Sequence, residues 1–103
     1  MPPRTKKEIN QELDKTIDLL NGPMVGSPYY TEKAVLLRIA LGKPKNKFGI
    51  PAIREIYKQY TGHLTGRYAS DMISDGRRFY ENSVKVIEWI LNVPENKSIL
   101  KKK

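Results

Sequence analysis

A chain of 103 residues can bury one modest core and not two of independent stability. With 29% charged residues, a mean hydropathy of −0.57 and a longest apolar run, 34–41, broken by Arg38, it excludes a membrane span, which needs roughly 20 apolar residues. The absence of cysteine and a single histidine, His63, exclude disulfides, thiol catalysis, cysteine zinc sites and multi-histidine metal sites, while 19 Lys and Arg against 11 Asp and Glu leave a net charge of +8 that attracts polyanions.

At the N-terminus, no apolar stretch of signal-peptide type follows the basic residues Arg4, Lys6 and Lys7, and the expected location is intracellular. Thr5 and Glu8 have the spacing of a capping box, so a helix is expected to start there. Ile9, Leu13, Ile17 and Leu20 recur on one face of it until Asn21, Gly22 and Pro23 stop it. Two glycines and two prolines make 21–30 an irregular loop, packed down by Met24, Val25, Tyr29 and Tyr30. Thr31 and Glu32 restart a helix whose apolar stripe is Val35, Leu36, Ile39 and Ala40, broadened by Leu37 and Leu41 and ended by Gly42.

Lys43, Lys45 and Lys47 alternate around Pro44 in a basic loop. Pro51 suits the first turn of a third helix, with Ala52, Ile53, Ile56, Tyr57 and Tyr60 inward and Arg54, Lys58 and Gln59 outward. Thr61, Gly62, His63 and Leu64 read as a tight connection, after which Thr65 caps a fourth helix. That helix buries Tyr68, Ala69, Met72 and Ile73, presents Arg67, Ser70, Asp71 and Ser74, and ends at Asp75 and Gly76.

Residues 77–91 carry two readings. Phe79 and the alternation of Val84 and Val86 suit a two-stranded hairpin. A helix capped by Asn82 or Ser83, with Val84, Ile87, Ile90 and Leu91 on one face, suits them slightly better. Pro94 ends either element. The expected architecture is mainly α: four to five short helices in one compact domain over 1–95, with its core at 5–93, an alternative C-terminal hairpin wing, and a basic flexible tail at 96–103.

Helix, short glycine-containing turn, helix over 50–78 resembles a helix-turn-helix; with 77–91 as a hairpin, 50–91 would look like a winged one. The resemblance implies that the helix after the turn enters the DNA major groove. The charge fits: residues 33–78 hold ten bases against three acids, +7 of the +8, whereas the first 32 hold four bases and five acids. Arg67, Ser70 and Ser74 would then face base edges or phosphates, joined by Arg54 and Lys58 from the preceding helix and by Arg77 and Arg78 beyond it. Thr65 and the free N–H groups behind it would offer an anion site. Lys43, Lys45 and Lys47 form either a second strip toward phosphate or only a soluble loop, and His63 is a turn residue or phosphate contact rather than a general base, since no partner is motif-linked to it.

Tyr57, Tyr60 and Tyr68 belong to core faces; Tyr29, Tyr30 and Tyr80 remain candidates for stacking on bases. Asp71 and Asp75 are too few carboxylates for a nuclease metal, and no phosphate loop, metalloprotease motif or nucleophile elbow is present. No cofactor, metal or enzymatic activity is therefore expected. The function expected is that of a small basic DNA-binding protein of transcription, replication or plasmid and viral DNA handling, nucleoid-associated and dimeric on two half-sites. The alternative is a subunit that turns its basic face to RNA or an acidic protein.

Overall fold

A computed structural model, describing residues 2–42, 49–65 and 74–101, arranges four α-helices in chain order: α1 (Lys6–Leu20), α2 (Pro28–Ala40), α3 (Ile50–Thr65) and α4 (Ser74–Leu91). The Thr5 hydroxyl accepts the Glu8 N–H at 3.2 Å, and the Glu8 carboxylate accepts the Thr5 N–H at 3.0 Å. That backbone hydrogen bond leads the effects that hold the Glu8 carboxyl below its ordinary value of 4.5. Ile9 and Leu13 are buried, and Ile17 and Leu20 pack at the edge of the core. Thr16 is buried among them because its hydroxyl donates to the Glu12 carbonyl one turn back.

α2 starts three residues before Thr31. Ser27 caps it by accepting the Tyr30 N–H, and Pro28 occupies a first-turn position where its missing N–H is not needed. Val25 does not pack down; it is 76% exposed at the tip of the preceding turn. α2 packs between α1 and α4, and α3 packs on α4. Leu36, Leu37 and Ala40 meet Ile53, Ile87 and Ile90 in a single apolar cluster, whereas Val35 points outward. Gly42, at φ +77°, turns the chain out of α2 in a conformation that side chains resist, and Gly49 returns to donate its N–H to the Ile39 carbonyl at 2.8 Å.

α3 does not break at Gly62. Leu64 continues the inward series of Ile53, Tyr57 and Tyr60 and is buried, and burying it outweighs the roughly 1 kcal/mol that a mid-helix glycine costs. Residues 61–64 are thus helical, and the turn of a helix-turn-helix is absent there. Thr65 is the last residue of α3, and its hydroxyl donates back to the Thr61 carbonyl at 2.7 Å; the helix it was expected to cap lies outside the described residues. A Cβ at Gly62 would meet nothing within 4 Å. Gly62→Ala is therefore expected to raise stability by about 0.5–1 kcal/mol in urea unfolding; a loss would show that the chain turns at this position.

α4 begins eight residues before Asn82 and runs through Asp75, Gly76 and the Arg77–Arg78 pair to Leu91. Among the described residues there is no strand, so the hairpin wing is not formed. Ser83, Val84, Val86, Ile87, Glu88, Ile90 and Leu91 are all buried, leaving Lys85 outward and Trp89 at the edge. A helix enclosed on most sides blurs the 3.6-residue period, which is why Val84 and Val86 mimic a strand.

Both ends of the chain fasten to α4. Asn92, at φ +58°, and the Val93 N–H, which reaches the Glu88 carbonyl at 2.9 Å, close the helix in a Schellman arrangement. Arg4 satisfies the last turn from outside: its backbone N–H reaches the Ile90 carbonyl at 2.9 Å, its Nε reaches the Trp89 carbonyl at 2.8 Å, and its guanidinium lies 4.4 Å from the Trp89 ring centre. The segment after Pro94 is not a free tail over its described length. It forms two short 3-10 turns, Glu95–Lys97 and Ile99–Lys101, around a buried Ser98 whose hydroxyl donates to the Glu88 carboxylate. No helix among the described residues is long and apolar enough to cross a membrane.

Candidate nucleic-acid interface

Arg54 and Lys58 lie one turn apart on the outer face of α3, both exposed. Arg38 is exposed in the last turn of α2 and Arg78 in the first half of α4. None of these four is ion-paired to a described residue. Three other bases have partners: Arg4 meets Glu8 at 3.3 Å, Lys33 meets Glu12 at 2.7 Å, and the half-buried Arg77 meets Glu81 at 4.0 Å. Arg38, Arg54, Lys58 and Arg78 thus place positive charge on the outer faces of α2, α3 and α4.

His63 departs from that strip. Five residues beyond Lys58, it stands about 140° around the helix from it at 100° per residue. It is exposed and stacks on Tyr80 of α4, with ring centres 4.7 Å apart and planes 14° from parallel. Around it, Tyr60 meets Tyr80 edge-on at 5.0 Å and Phe79 at 6.0 Å. The structure therefore separates two groups: the Arg54–Lys58 strip, and an aromatic cluster where α3 meets α4, beside Arg77 and Arg78. Lys43, Lys45, Lys47, Arg67 and Ser70 lie outside the described residues. Ser74 opens α4, and its side chain also lies outside them.

A groove of about 480 Å³ opens between the first turns of α2 and the first half of α4. Tyr29 and Glu32 line one wall, and Arg78, Phe79, Asn82 and Ser83 the other. Burial pushes the Glu32 carboxyl above its ordinary value, and burial, then the charge of Glu32, pushes up the Tyr60 hydroxyl. Phe79 is 38% exposed, whereas Ser83 is 2% exposed and its hydroxyl is buried without a hydrogen-bond partner among the described residues. Sequence reasoning assigned Phe79, Asn82 and Ser83 to a strand or a cap and missed the groove. The i, i+3, i+4 spacing of 79, 82 and 83 was the available signal, readable only once α4 is known to start at 74.

Comparisons with protein-family models, with curated proteins and with solved structures found no match to this chain.

Proposed function

We propose that the chain binds nucleic acid through the phosphate backbone. The observation that supports this reading is the pattern of charge compensation. The first 32 residues hold five acids against four bases, whereas Arg38, Arg54, Lys58 and Arg78, all inside the segment that carries +7, are exposed and unpaired to any described residue. Cations held on separate helices, with no described carboxylate paired to them, suit a repeating polyanion such as phosphodiester. Helix-borne arginines add donors in fixed forks that fit phosphate oxygens. Backbone contacts need no second half-site, so two-fold pairing has no necessary part in this reading.

Fluorescence anisotropy of a labelled oligonucleotide across a salt series tests it. Log affinity is expected to fall linearly with log salt, with a slope corresponding to about four phosphate contacts. Absence of binding at about 50 mM salt, where such contacts are strongest, would overturn the reading. Retention of an acidic protein partner after nuclease treatment, with no affinity for oligonucleotides, would assign the same bases to a protein surface instead.

A further inference from the structure

The groove between α2 and α4 has the size of a small-ligand site, within the roughly 300–1,000 Å³ such sites span. Its walls supply two aromatic rings from different helices, Tyr29 and Phe79. Of its polar groups, Thr31 and Lys33 are bonded elsewhere, whereas two others on the α4 wall are unspent. Neither the Ser83 hydroxyl nor the Asn82 amide, donor and acceptor together, makes a hydrogen bond to a described residue. A buried hydroxyl without a partner is destabilising in the free protein, and such groups in folded proteins mark a missing water or ligand. At the mouth stands Arg78, exposed and not paired to a described acid, whereas the neighbouring Lys33 is engaged by Glu12.

An apolar peptide side chain would fill such a groove and leave Ser83 and Asn82 unpaired. A nucleobase meets both demands: its faces are flat and take aromatic rings, and its edge carries donors and acceptors in one plane. Resting on the backbone-binding reading, we propose that this groove takes an unstacked base of single-stranded nucleic acid. The adjoining phosphate lies on Arg78, and Asn82 and Ser83 bond the base edge. A duplex, whose bases are stacked and paired, reaches only the exposed cations.

Binding of single-stranded and duplex oligonucleotides of equal length, to the full chain at matched salt, tests the assignment. The single strand is expected to bind about tenfold more tightly, as stacking of one base on an aromatic side chain allows. Phe79→Ala should remove about tenfold of single-strand affinity and leave duplex affinity and salt slope unchanged. Ser83→Ala, which deletes an unsatisfied hydroxyl, should weaken single-strand binding several-fold while leaving the melting temperature equal or higher, so that lost folding cannot mimic lost contact. Should Phe79→Ala fail to fold, Ser83→Ala with Asn82→Ala decides the matter. If duplex and single strand bind alike and none of these variants separates them, the groove assignment is overturned while backbone binding stands. Absence of binding to either nucleic acid overturns both.

Discussion

Glu88→Ala is expected to lower the free energy of unfolding by about 3 kcal/mol, and the melting temperature by about 15 °C. The carboxylate is only 7% exposed, and no basic side chain pairs with it among the described residues. It is held by donors alone: the Tyr57 hydroxyl at 2.9 Å, the Ser98 hydroxyl, and the Ile99 N–H at 3.2 Å. Truncation leaves three donors facing a small void, and each unsatisfied donor costs about 1–3 kcal/mol before the chain relaxes or water enters. Burial, and then Glu88 itself, pushes the Tyr57 hydroxyl above its ordinary range, so the phenol stays protonated and remains a donor at any working pH. Tyr57→Phe and Ser98→Ala each remove one donor and should cost about 1 kcal/mol. Urea unfolding of the three variants measures this; a Glu88→Ala loss below about 1 kcal/mol would show that the segment after Pro94 is not held against α4.

Reversing charge at Arg54 and Lys58 together, Arg54→Glu with Lys58→Glu, is expected to weaken oligonucleotide binding by about 30- to 100-fold and to flatten the salt slope by about two contacts. The two side chains share one face of α3 and are exposed, so the substitutions touch no core group. Glutamate is about as helix-favouring as lysine and arginine, and stability should change by less than about 0.5 kcal/mol. Anisotropy across a salt series, paired with a melting curve, separates the effects. Unchanged affinity would move the phosphate contacts off α3.

Local chemistry that acts within one turn of helix was legible in the sequence. The Thr5 and Glu8 pair starts α1 where it should, and Pro51 sits in the first turn of α3 with Ile53 inward and Arg54 and Lys58 outward. Val84, Ile87, Ile90 and Leu91 face the core as the helical reading required. What was misread depended on partners distant in sequence. Gly62 looks like punctuation until Leu64 is seen to be buried, and α4 looks strand-like until its enclosure by other elements is known. Glu88, a carboxylate inside the apolar run of Val86, Ile87, Trp89 and Ile90, and the apolar pair Ile99 and Leu100 among lysines, were signals that the C-terminal segment packs. Neither names its partner, because a buried acid is tolerable only with donors that arrive from elsewhere, here from residues 57 and 98. The exposed bases of α3 could be anticipated; the groove could not, since it exists only where α2 and α4 part.

The fastening of both chain ends onto α4 also sets an order of events during synthesis. α2 and α3 bury much of their apolar surface on Ile87 and Ile90, and α4 in turn needs Arg4 for its last carbonyls and Ser98 for its carboxylate. A nascent chain that has left the ribosome only as far as residue 65 has three amphipathic helices and no central helix to close on. Closure of this core therefore waits until α4, through Leu91, has cleared the exit tunnel. Until then the apolar faces of α1, α2 and α3 have no α4 to pack on.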